Sequence, residues 1–165
     1  MMSELVIYGL SLSYPDKLRV EIKPKSGRDR GKIALIDGKK TEAGHNVVLM
    51  QWELRRSGKK QNSDLDAKIR SDYRFLGRRK DVDGISILED RNIQIDGHTA
   101  CYRSSIVQRN MSILFIKKMR QMQLVSMHLY CEQSNRFITF FWSSLVELKE
   151  MPALVADIAK TLKCH

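Results

Sequence analysis

The stretch from Leu124 to Trp142 constrains this chain more than any other. Leu124, Val125, Met127 and Leu129, and then Phe137, Ile138, Phe140, Phe141 and Trp142, place apolar groups on both parities of two strands. Successive side chains of a strand point to opposite faces, so neither strand has a face to give to water. Both must be central in their sheet and covered twice. Two amphipathic helices are available as cover. In the first, Ser63 is an N-cap, Asp64 and Asp66 place negative charge at the positive helix end, Leu65, Ile69, Tyr73 and Leu76 recur at helical spacing, and Gly77 suits the C-terminal cap; a helix over 64–76 follows. The second begins near Pro152 and buries Leu154, Val155, Ile158 and Leu162. The expected class is α+β: a three-layer α/β/α sandwich around a largely antiparallel sheet of about six or seven strands, with one helix per face.

The remaining strands read more simply. Lys17, Arg19, Glu21 and Lys23 alternate with Leu18, Val20 and Ile22, the pattern of a strand with one wet face. Leu5 to Tyr14 is its expected partner across a Pro15-Asp16 turn. Further strands are expected at 33–36, 47–54, 85–88, 93–95, 99–107 and 113–118, with Asp96-Gly97 as a hairpin turn. Connections this short leave little room for crossovers, and the 165 residues read as a single domain without repeat or linker.

The order of these elements resembles the PsbP-like fold group. The resemblance is carried by Leu10-Ser-Leu-Ser-Tyr14-Pro15, by Ile95-Asp-Gly97-His-Thr-Ala100, by the hairpin from Leu129-Tyr-Cys131 to Arg136-Phe-Ile-Thr-Phe-Phe141, and by a final helix with Pro152 ahead of Ile158 and Leu162. That group includes extrinsic photosystem subunits, a Ran-binding nuclear import factor and uncharacterised prokaryotic proteins. It implies a non-catalytic binding or assembly role and transfers no site residue.

Charge gives the sign of the expected partner. The chain has 29 Lys and Arg against 19 Asp and Glu, a formal net charge of +10. Residues 1–80 hold 19 of the basic and 10 of the acidic groups, and residues 81–165 hold 10 and 9, so the first half has +9 and the second +1. Such a field concentrates polyanions near the amino-terminal half. The cations fall in runs: Lys23, Lys25, Arg28, Arg30 and Lys32; Arg55, Arg56, Lys59 and Lys60; and Arg70, Arg74, Arg78 and Arg79 along and beyond the first helix, with Phe75 among them off the apolar stripe. The last two runs and Phe75 are the candidate binding residues, for an acidic protein in preference to a nucleic acid, although Phe75 suits base stacking.

No catalytic constellation is found. Gly27, Gly31 and Lys32 imitate a phosphate loop, but the spacing is one residue short and Ile33 stands where a hydroxyl is needed. His98-x-x-Cys101 and His128-x-x-Cys131 contain potential zinc ligands, yet residues three apart on a strand point to opposite faces. Only convergence across strands, with the Cys164-His165 terminus docked nearby, would gather enough of them. Neither metal nor cofactor is expected, and the thiols read as buried and inert. Three cysteines, an odd number, with no secretory leader recognised, make a reducing cytoplasm the expected compartment, and because no uncharged run exceeds eleven residues a spanning helix of about twenty is not expected.

Overall fold

The computed structural model describes residues 1–41, 44–55, 65–113, 116–145 and 151–164, with side chains at all of these but 39–41, 44–46, 111–113, 116–118, 145 and 151–152. The elements run β1 (Met2–Ile7), β2 (Leu10–Pro15), β3 (Leu18–Ile22), β4 (Arg30–Thr41), β5 (Gly44–Leu54), α1 (Leu65–Gly77), β6 (Val82–Ile95), β7 (His98–Ile113), β8 (Ile116–Cys131), β9 (Arg136–Leu145), α2 (Met151–Lys160) and β10 (Lys163–Cys164). A seven-stranded sheet has the order β3-β4-β5-β9-β8-β7-β6, and a three-stranded sheet has the order β1-β2-β10; the pairings are antiparallel. The fold is therefore α+β, built on a largely antiparallel sheet. No helix among the described residues is long and apolar enough to cross a membrane.

The two-parity strands β8 and β9 lie inside the large sheet, as their lack of a wet face requires. Val125, Met127 and Leu129 of β8 and Ile138, Phe140 and Trp142 of β9 join one buried cluster with Val155, Ile158, Ala159 and Leu162 from α2 and its C-terminal end and Leu10 and Leu12 from β2. Ser126, His128 and Thr139, on the other parity, are buried on the face that carries α1. Helix α1 packs on β6 and β8 through its buried Ile69 and the half-buried Leu65, Tyr73 and Leu76.

Several details differ from the sequence reading. The strands expected at 85–88 and 93–95 are parts of the one strand β6, and the strand expected at 113–118 falls instead on the end of β7 and the start of β8, where Ile113 pairs with Ile116 in antiparallel register. The segment 5–14 is not one strand paired with β3: Tyr8 (φ 51°) and Gly9 (φ 78°) form a tight turn that folds β1 onto β2, with Ile7 opposite Leu10. Two consecutive positive φ values match the twist of a hairpin, and a tyrosine accepts the first of them. That turn sends β1 and β2 into the small sheet and leaves β3 on the edge of the large one. The chain also does not end with α2. Thr161 accepts a hydrogen bond from the Ser13 amide at 2.9 Å, and its hydroxyl has the Ile158 carbonyl at 2.7 Å and the Ser13 carbonyl at 3.0 Å as acceptors for its one proton, which holds β10 against β2.

Candidate functional site

Helix α1 is shorter than the sheet is wide. It packs on β6 and β8, and among the described residues a groove of about 880 Å³ lies beside it, lined from β5 and β9 and from parts of β7 and β8. Val47, Leu49, Phe137 and Phe141 make an apolar floor, and Tyr73, Phe75 and Leu76 of α1 form one wall. Lys23, Lys25, Arg30 and Lys32, from the end of β3 and the start of β4, edge one end, and Arg79 and Arg109 stand at the rim as well.

These cations are not equivalent. Lys23 bonds Glu21 at 2.8 Å, and Arg79 and Arg109 both bind Asp81, whose carboxyl they hold well below its usual range, at about 2. Lys25, Arg30 and Lys32 are exposed and have no ion-pair partner among the described residues. The unneutralised charge of the groove therefore lies at its β3–β4 end.

A polar seam joins α1 to the sheet beside this groove. Lys68 donates to Asp72 at 2.6 Å and to Glu53 at 2.9 Å, and the other Asp72 oxygen lies 3.2 Å from Nε2 of the fully buried His128. Burial pushes the His128 imidazole below its ordinary value, against the pull of Asp72. The neutral ring donates from Nε2 to the Asp72 carboxylate, and Nδ1 is left as an acceptor without a partner among the described residues. Burial raises the Asp72 carboxyl, but its bonds from His128 and Lys68 outweigh this and hold it below its usual value. Tyr73 adds hydrogen bonds of 3.1 Å to both Ser105 and Ser126, and Arg103 stacks on the Tyr73 ring at 4.8 Å. A wholly buried imidazole cannot meet a substrate, so this seam anchors the helix that walls the groove.

The predicted binding residues separate. Phe75 and Arg79 line the groove; Arg70, Arg74 and Arg78 are exposed on or just past α1 without lining it. Arg55 lies over the Tyr130 ring at 5.8 Å, and Arg56, Lys59 and Lys60 lie outside the described residues. Of the residues that matter most here, Asp72 and Glu53 went unnoticed in the sequence; Asp72 could have been found as the i+4 partner of Lys68.

The His and Cys candidates divide between the faces of the sheet. Cys101 and His128 are cross-strand partners on the α1 face, where Cys101 donates to Asp90 at 3.2 Å. Burial and the Asp90 carboxylate push this thiol up to about 11, so it is not a nucleophile at neutral pH. His98 and Cys131, on the opposite face, meet Cys164 of β10: their ligand atoms all lie within 4.8 Å of one another, and Cys164 Sγ is 3.4 Å from His98 Nε2. These three could hold a metal ion.

Neither a protein-family model nor a curated protein matches the chain. Solved structures do. Cyanobacterial PsbP from Synechocystis sp. PCC 6803 superposes with a TM-score of 0.68 at 10% identity, over 99% of this chain and 92% of that one. The Saccharomyces cerevisiae Ran-binding protein Mog1p does so with a TM-score of 0.56 at 7% identity, over 99% and 95%. A Pseudomonas aeruginosa protein of unknown function gives 0.51 at 13% identity, over 99% and 97%. Identities this low speak to the backbone alone, and in its backbone this chain has the fold that cyanobacterial PsbP and Mog1p share.

Proposed function

We propose that this chain is a non-enzymatic binding protein whose groove beside α1 takes an acidic, partly apolar segment of a partner protein. The observation that carries the reading is the combination of the half-buried apolar side chains Val47, Leu49 and Phe141 with the cations Lys25, Arg30 and Lys32, unpaired among the described residues, at one end. Apolar residues of the segment would lie on Val47, Leu49 and Phe141, and its carboxylates would meet the cations. A fold neighbour named as Ran-binding supports a protein partner. Among the described residues, the reading rests on cations of the first run and on Arg79 and Phe75 of the third, and Arg56, Lys59 and Lys60 of the second lie outside them.

The test uses a fluorescent amphipathic peptide with Asp and Glu on one face and Leu and Phe on the other. Binding should weaken as salt rises, because exposed charges are screened within about 10 Å at 0.1 M. The triple variant Lys25→Glu, Arg30→Glu, Lys32→Glu should lose at least about tenfold in affinity, since reversing even one favourable contact of about 1.4 kcal/mol does so. Equal affinity in wild type and variant, or indifference to salt, would refute the proposal. Tighter binding of single-stranded DNA than of the peptide, lost on Phe75→Ala, would instead support nucleic-acid stacking on the exposed Phe75.

A further inference from the structure

The second cluster of reactive side chains lies on the face away from the groove. His98 opens β7 immediately after the Asp96-Gly97 turn, Cys131 closes β8, and Cys164 is in β10. The tight turn (φ 49° and 75°) and the docking of β10 on β2 bring together three groups that lie far apart in sequence. Both cysteines are fully buried and free, and among the three His98 is the one with exposed surface.

The geometry points to a binding site for one thiophilic divalent ion, zinc in the first place, with His98 Nε2, Cys131 Sγ and Cys164 Sγ as ligands. Tetrahedral zinc with sulfur at about 2.3 Å and nitrogen at about 2.0–2.1 Å sets its ligand atoms roughly 3.5–3.8 Å apart. The three atoms here are already within 4.8 Å of one another, and one pair stands at 3.4 Å. The donor set is two sulfurs and one imidazole, which selects zinc over magnesium or calcium. Charge balance agrees with the burial. Zinc displaces one proton from each thiol, both protons pass to solvent, and two thiolates with a neutral imidazole leave the occupied site uncharged. Asp96 Oδ2 lies 3.4 Å from the Cys164 amide nitrogen and holds that strand beside the cluster, and the fourth position is left for a water molecule.

Such an ion would join the large sheet to the small one. His98 and Cys131 belong to neighbouring parts of the former and Cys164 to the latter, so metal would staple the carboxy-terminal strand to the sandwich. Buried thiols that do no more than hydrogen-bond to an imidazole are the competing account.

The full chain, reduced and stripped with a chelator, is titrated with cobalt(II) as a spectroscopic probe. A thiolate-to-cobalt charge-transfer band should grow to one equivalent and be displaced by zinc. Cys101→Ser, on the opposite face, should leave the band unchanged; Cys164→Ser should abolish it. His98→Ala should weaken cobalt binding by more than the roughly 10–100-fold that loss of an outer-shell partner costs. Zinc should raise the melting temperature of wild type and Cys101→Ser but not of Cys164→Ser. Should Cys164→Ser fail to fold, the wild-type titration still decides: no charge-transfer band at one equivalent overturns the site, as does a band that is lost in Cys101→Ser instead. Peptide binding to the groove is read separately, so either result stands apart from the other.

Discussion

Gly31→Ala tests the local packing that shapes the basic end of the groove. Gly31 of β4 pairs with Trp52 of β5, and the indole lies across the glycine. A Cβ built there would sit 2.2 Å from Trp52 Cζ2, 2.6 Å from Cη2 and 2.7 Å from Cε2. The ring has little freedom to withdraw, because Trp52 is only 2% exposed, its Nε1 donates to the Gly27 carbonyl at 2.9 Å, and Tyr8 stands against it at 6.0 Å between ring centroids. Overpacking of this kind costs about 1–3 kcal/mol, and a displaced indole forfeits a hydrogen bond worth about 1 kcal/mol. Alanine recovers about 0.4–1 kcal/mol by restricting the unfolded chain. The net loss is roughly 1–3.6 kcal/mol, or about 2–14 °C in melting temperature for a chain of this size. Thermal unfolding followed by circular dichroism and tryptophan fluorescence measures it. In a Trp52→Leu background the ring is gone and Gly31→Ala should become neutral. A Gly31→Ala protein that melts within about 1 °C of wild type, or a cost that persists in the Trp52→Leu background, would refute the reasoning.

Two further predictions concern the seam on the α1 face. Asp72 titrates below its ordinary 3.8 in the folded chain, so its contribution is complete above that value and fades as pH falls through the folded one; Asp72→Asn should flatten this part of the acid limb. His128 titrates below its ordinary 6.5, so the unfolded chain takes up the proton first and stability falls as pH drops through about 6.5; His128→Gln should remove that upper step, and a wild-type melting temperature that is flat from about pH 7 to pH 4 would contradict it. For Cys101, a thiol raised to about 11 has roughly a hundredth of the thiolate of a free cysteine, so iodoacetamide at neutral pH should label it only on unfolding, as read by peptide mass mapping. Rapid labelling of the native protein would contradict this.

The architecture was legible where periodicity was strong. Both helices are found beside the positions their stripes indicate, and β8 and β9 are central because their sequences leave them no wet face. The β1–β2 turn was hidden because Tyr8 and Gly9 interrupt an apolar run with only one glycine, and nothing in a local window requires both residues to take positive φ. The strand β10 was hidden because two residues after a helix have no period to read; its position is fixed by Thr161 reaching back to Ser13 across 148 residues. Gly27, Gly31 and Lys32, which imitate a phosphate loop in sequence, have a different cause: the first offers its carbonyl to Trp52 and the second gives way to its ring. The groove escaped notice because parity distinguishes buried from exposed faces but not a face covered by a helix from one left open beside it. Leu49, Phe137 and Phe141 look like core in any window, and only the width of the sheet against the width of α1 shows that they border a groove.

The same parity rule accounts for how the chemistry of the protein is partitioned. Each His-x-x-Cys pair sends its members to opposite faces, and the pairing of Cys101 with His128 across β7 and β8 aligns one member of each on the α1 side. There His128 meets Asp72, and Cys101 meets Asp90: both are met by carboxylates, and the histidine ends as a strut for the helix while the cysteine ends as a suppressed thiol. The remaining members, His98 and Cys131, face the layer formed by α2 and the small sheet, where the third group they meet is a sulfur. A carboxylate stabilises a neighbouring imidazole and raises a neighbouring thiol, whereas a second thiol beside both completes a set that favours a cation. The period of two that kept either pair from chelating within its own strand is thus what sorts four residues into one anchoring face and one ligating face.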